Sequence, residues 1–180
     1  MNDTTTEHSH HARPVAAIIL AAGLGKRMGS DQPKVVHEVA DRPMVCWVVD
    51  ACRAVGAMPI VLVVGHRAEQ VRALFEQDQS DIMFVDQREQ HGTGHATQCA
   101  ADALADFKGD VFVLAGDGPL IRAETLQTML DRHHSTGAGA TLATAVIDDP
   151  GGYGRVIRDA DGRFERIVEH KNATDEQRAI

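Results

Sequence analysis

VAAIILAAGLGKRMGSDQPK, residues 15–34, is the stretch whose reading decides the fold. It opens as an unbroken apolar run and passes directly into a glycine-punctuated segment that carries Lys26, Arg27 and Lys34. A strand that is apolar throughout, rather than at alternate positions, is buried on both faces, the condition of a parallel sheet covered by helices. Similar runs recur as PIVLVV (59–64), IMFV (82–85) and DVFVLA (110–115), and a fifth strand is predicted for ATLATAVI (140–147). Between them, Val45, Val48, Val49 and Cys52 fall at i, i+3, i+4 and i+7, as do Leu126, Met129, Leu130 and His133, the spacing of one helix face. Val71, Leu74 and Phe75 predict a short helix, and the small residues over 94–104 predict another. The alternation of strand and helix implies an α/β fold with a doubly wound, mostly parallel sheet and right-handed crossovers. Past Pro150 the pattern changes, and GRVIRDADGRFERIVE predicts two strands around the turn at Asp161 and Gly162.

Composition narrows the function classes. The chain has 180 residues, 43% of them hydrophobic and only 4% aromatic, so its core is aliphatic, and a chain of this length supports one domain from about residue 15 onward. Its net charge of −8 supplies no overall basic field, which argues against a nucleic-acid partner. No run approaches the roughly 18 apolar residues of a membrane span, and residues 1–14 lack the basic start and apolar run of a secretion signal, so no membrane is expected and the cytoplasm is the default location. Those residues predict a flexible tail whose His8, His10 and His11 are a solvated end rather than a metal site. Cys46, Cys52 and Cys99 lack zinc-site spacing and are expected to be small buried hydrophobes.

In a doubly wound sheet, ligands bind beyond the carboxyl ends of the strands where the topology reverses. Three unusual segments should meet there. The loop after the first strand has the composition of a phosphate site: glycines that admit close backbone approach, and cations that neutralise a triphosphate. It is neither of two familiar phosphate motifs. A P-loop places a second glycine five residues after the first, but Met28 and Ser30 stand five after Gly23 and Gly25; a dinucleotide fingerprint needs a glycine where Met28 stands, and the second strand ends in Gly65 without the ribose-binding acid. The bland alternative is a solvated loop with incidental charge.

LAAGLGKRMGSDQPKVVHEV (20–39) resembles the signature of the nucleotidyltransferases that make nucleotide sugars, especially the uridyltransferase half of the bifunctional N-acetylglucosamine-1-phosphate uridyltransferase/glucosamine-1-phosphate acetyltransferase family. The resemblance continues, in the family's order, through EQHGTGHATQ (89–98), GDGPL (116–120), DDPGGYGRVIRD (148–159) and IVEHKNATDEQ (167–177). It implies a Rossmann-like sheet of the nucleotide-diphospho-sugar transferase type over residues 15–180. It also implies transfer of UMP from UTP to N-acetylglucosamine-1-phosphate, with Mg²⁺ as cofactor and pyrophosphate as leaving group. By the resemblance, Arg27 and Lys34 sit on the phosphates of UTP; Leu20, Ala21, Ala22, Gly23 and Gly25 belong to the nucleotide loop; and Gln87, Gly92 and Thr93 bind uracil. Asp117 is the metal ligand and, with Arg27 and Lys34, part of the catalytic set, while Gly154 and Glu169 contact the sugar. Each has a plain alternative: Thr93 as the N-cap of a helix, Asp117 as a turn former, Gly154 as a turn, Glu169 on a solvated strand face. His91 and His95 read as structural or solvent-facing, since nothing nearby in sequence completes a metal set.

The resemblance further implies that the sequence stops before a sugar-nucleotide Asn and the second metal ligand, and does not include the β-helical acetyltransferase half. Weak Mg²⁺ binding and self-association through uncovered apolar surface are the expectations that follow. Two other functions are consistent with parts of the sequence: a nucleotidyltransferase of different base or acceptor, such as the cytidylyltransferase of the molybdenum cofactor, and a catalytically silent nucleotide-binding module.

Overall fold

The computed structural model describes residues 13–180 except 24, 26, 27, 78 and 79. The chain divides into two compact units, one reaching to Ala140 and the other Thr141–Ile180.

In the first unit the apolar runs become strands β1 (Val15–Leu20), β2 (Ile60–Val64), β3 (Ile82–Asp86) and β4 (Asp110–Ala115), joined through helices α1 (Met44–Ala54), α2 (Ala68–Ala73) and α3 (Thr93–Cys99) and followed by α4 (Ala123–Thr136). The strands form one parallel sheet in the order β3-β2-β1-β4. This is the α/β, Rossmann-like architecture that the alternation predicts. Every residue of β2 is buried, as is β1 from Val15 to Ile19, because each of these strands is paired on both edges and covered on both faces. On one face Ile19, Leu62 and Val64 pack with Val45, Val48, Val49 and Cys52 of α1 and Leu126 and Leu130 of α4. On the other, Ile18, Val61 and Val63 pack with Ala96 and Ala100. Period-3.6 stripes on α1 and α4 thus meet period-2 faces of the strands, and burial of this aliphatic area is the main stabilising term.

Several expectations shift. ATLATAVI forms no strand: Leu142, Val146 and Ile147 are exposed, and the run joins neither sheet. The helix predicted over 94–104 is two pieces, α3 and a 3₁₀ turn at Asp102–Leu104. The helix predicted from Val71, Leu74 and Phe75 closes at Ala73, and Phe75 reaches the core from just beyond its end. Thr93 is the first residue of α3 rather than its cap; the cap position is Gly92, whose φ of +96° suits a residue without Cβ.

In the second unit, β5 (Arg155–Arg158) and β6 (Phe164–Val168) pair antiparallel, as the Asp-Gly turn predicts. Arg155 is buried at 5% exposure and donates to the carbonyls of Pro150 and Tyr153 at 2.9 and 2.5 Å, and to that of Arg178 at 3.2 Å in the short helix α5 (Asp175–Arg178).

Candidate functional site

Strand order places β2 on one side of β1 and β4 on the other: the chain steps outward from β1 to β2 and β3, then crosses back past β1 to β4, and this reversal opens a crevice at the carboxyl end of β1. Three segments bound it. The chain leaving β1 is tied to its neighbour by the Ala21 amide donating to Val63 O at 2.8 Å, and returns through the 3₁₀ turn Lys34–Val36. Gly25, at φ +61°, lies against this return: a Cβ there would stand 3.3 Å from Lys34 N and 3.4 Å from Gln32 O. A side chain at residue 25 would therefore disturb both its own backbone and the placement of Lys34.

The chain leaving β4 is held by the Gly116 amide donating to Leu20 O at 2.9 Å, which sets Asp117 at the strand tip. There Lys34 Nζ donates to Asp117 Oδ2 at 2.5 Å, across 83 residues of sequence, with both side chains about one-third exposed. The chain leaving β3 begins with Gln87, whose amide N–H donates to Val64 O at 2.7 Å and whose side chain is buried at 6% exposure. Gln90 Nε2 donates to Ala22 O at 2.9 Å and joins this segment to the β1 loop.

The result is a cleft of about 310 Å³ lined by Leu20, Ala22, Gly23, Lys34, Gln87, Gly92, Thr93 and Asp117, eight of the residues singled out by sequence. Ala21 is buried at 1% exposure rather than at the cleft surface, and Gly25 stands behind Lys34. Arg27 lies outside the described residues, as do Lys26 and the three tail histidines. Gly154 precedes β5, and the exposed Glu169 caps the 3₁₀ turn His170–Asn172, both within the second unit. Four further lining residues, Val35, Gln90, Ala96 and Ala115, escaped sequence reading. Gln90 had a signal, since it sits inside EQHGTGHATQ; the other three are ordinary apolar residues that only the fold brings to the cleft.

His95 is half-buried and packs on the site: its Nδ1 lies 3.1 Å from Gln87 Nε2 and its Nε2 lies 3.9 Å from Cys99 Sγ. Cys99 is accordingly half-buried, unlike Cys46 and Cys52.

A basic group and a carboxylate converging on an open, partly apolar cleft can bind a polyanion at one end and a flat apolar ligand at the other. No group of three or more metal-ligating side chains occurs among the described residues. A lone carboxylate nonetheless suits Mg²⁺, which keeps most of its waters and takes one or two protein carboxylates together with substrate phosphates. Among the described residues no helix is long and apolar enough to cross a membrane.

Residues 17–169 match the model of the MobA-like NTP transferase domain family. The chain is 52% identical over 166 residues to the bifunctional protein GlmU of Geotalea daltonii, a match covering 92% of the chain and 36% of that relative. To the GlmU of Pelobacter propionicus it is 54% identical over 92% of the chain and 36% of the relative, and to that of Geobacter sulfurreducens 53% identical over 92% and 34%. The chain thus spans about a third of the length of the curated relatives it matches. With the cleft at the sheet's carboxyl end and a family match running from β1 to the end of β6, the chain belongs to the MobA-like NTP transferase domain family.

Proposed function

We propose that the chain transfers UMP from UTP to N-acetylglucosamine-1-phosphate, giving UDP-N-acetylglucosamine and pyrophosphate. The observation that carries this reading is the meeting of Lys34 and Asp117 in one cleft with the β1 loop and Gln87. A phosphate oxygen of the sugar-1-phosphate attacks the α-phosphorus of UTP, a new P–O bond forms, the α–β phosphoanhydride breaks, and the electron pair leaves on pyrophosphate. The attacking oxygen is already anionic near neutrality, so no protein base is required, and rate comes from holding two anions in line and neutralising charge as it develops.

In this reading Lys34 exchanges the Asp117 carboxylate for a phosphate when UTP arrives, and Arg27 adds a second cation. Leu20, Ala21, Ala22, Gly23 and Gly25 shape the nucleotide loop, Gln87, Gly92 and Thr93 take the uracil, and Gly154 and Glu169 serve the acceptor sugar. Asp117 is the residue that would hold Mg²⁺, whose contribution is to neutralise the phosphates and polarise the reacting centre. The net negative surface supports a small-molecule substrate over a nucleic acid. The exposed Val111 and Val113 on β4 support association with a second copy.

The test mixes the purified chain with UTP, N-acetylglucosamine-1-phosphate and Mg²⁺ and follows pyrophosphate release. Release that requires all three components supports the proposal. UTP binding without release favours a silent nucleotide-binding module, and faster release from CTP overturns the uridylyl assignment.

A further inference from the structure

We infer that His95 is a positioning residue that selects the base by engaging the second N–H of the Gln87 amide, whose orientation Gly92 O sets, so that only the acceptor oxygen is left for the ligand. The inference rests on the uridylyl reading above and concerns how the site distinguishes one pyrimidine from another.

An amide of Gln has two N–H donors and one acceptor oxygen, and a half-turn about its last torsion exchanges them. Gln87 is buried, so the choice is made by its neighbours. Its Nε2 lies 3.3 Å from Gly92 O and 3.1 Å from His95 Nδ1. Gly92 O can only accept, which assigns the nitrogen to that side; turning the amide over would place two oxygens against each other. The Gly92 carbonyl occupies one N–H and leaves the second free to serve the cleft. His95 Nδ1 takes that second hydrogen, and both donors are then committed inward. What remains for a ligand is Oε1, an acceptor.

This assignment requires His95 to be neutral with its proton on Nε2, because a protonated Nδ1 has no lone pair to offer. The surroundings suit that tautomer. Cys99 Sγ, 3.9 Å from Nε2, can serve as a weak acceptor for the Nε2 proton. Uracil carries a hydrogen at N3 and can donate to Oε1. Cytosine has a bare N3 lone pair and meets Oε1 with acceptor against acceptor, in a site where an unpaired buried group is costly.

The test measures equilibrium binding of UTP and CTP, each with Mg²⁺, to the full chain and to two variants. His95→Leu removes the acceptor and should lower the UTP-over-CTP preference by about tenfold. His95→Asn returns an acceptor oxygen near the Nδ1 position and should keep the preference within about threefold of the parent. An unchanged ratio in His95→Leu, or equal losses in the two variants, overturns the inference and leaves the uridylyl reading standing. A parent chain with no preference for UTP removes the base reading instead. Independently of folding in either variant, long-range ¹H–¹⁵N spectra of the parent should show His95 as the Nε2–H tautomer. The Nδ1–H tautomer or an imidazolium near neutral pH overturns the inference whatever the binding data show.

Discussion

Lys34 and Asp117 hold each other on the surface of a cleft, and that location decides what their loss would do. A pair about one-third exposed contributes on the order of 0–1 kcal/mol to folding, because water screens it and ordering a long side chain costs entropy. In the proposed reaction the same lysine faces two polyanionic substrates and contributes far more. Lys34→Met should therefore leave the thermal unfolding free energy within about 1 kcal/mol of the parent. Pyrophosphate release should fall by about 10²-fold or more. Equal thermal destabilisation with unchanged turnover would remove Lys34 from the site. The cysteines separate on similar grounds. Burial pushes the Cys52 thiol up to about 12 and raises Cys46 as well, so neither offers thiolate near neutrality. A thiol reagent added to the native chain should titrate Cys99 first, with all three reacting only after denaturation. Rapid native reaction of Cys52 would show that α1 is not packed as described.

Among elements, the tie between α1 and β3 has a measurable signature. Arg53, near the end of α1, donates from Nε and Nη2 to both oxygens of Asp81, at 2.8 and 2.6 Å, immediately before β3 begins. These hydrogen bonds hold the Asp81 carboxyl below its ordinary range. A folded-state value below the unfolded one adds stability that is present above the unfolded pKa and is lost as pH falls through the folded pKa. Near neutrality Asp81→Asn should cost on the order of 1–3 kcal/mol, since it leaves a mostly buried guanidinium without its anion. The gap between parent and variant should narrow as pH falls below about 4. A gap that stays constant into that acid range would mean that the carboxylate's charge plays no part. At this scale most elements were legible in the sequence, because β1, β2 and β4 are apolar runs, while α1 and α4 carry their apolar residues at helical spacing. The failures fall where tertiary context decides: ATLATAVI has a strand's composition but joins neither sheet, and Ala100 is buried where α3 has already ended.

At the scale of the molecule, both edge strands of the sheet show apolar residues, Met83 on β3 and two valines on β4. β4 pairs with β1 alone, and on one of its faces Val111 and Val113 are 40% and 49% exposed. An unpaired parallel edge beside exposed valines can accept a second copy, opposed by the repulsion of a net charge of −8. Sedimentation velocity should show an average mass that rises with concentration and rises further with added salt as that repulsion is screened. Val113→Lys, which places a charge on the exposed face, should suppress the rise. A single monomeric species at all concentrations would contradict the association.

The order of apolar runs and helical stripes by itself determined a parallel α/β sheet whose first strand runs into a glycine- and cation-rich segment, because burial and backbone sterics act through local pattern. Tertiary structure alone decided that Lys34 would meet Asp117 from 83 residues away and that Gln90 would close on Ala22. It also turned His95 inward onto Gln87. Such contacts depend on strand order and on which side of β1 each crossover returns, and no spacing along the chain encodes the direction in which a buried amide must point.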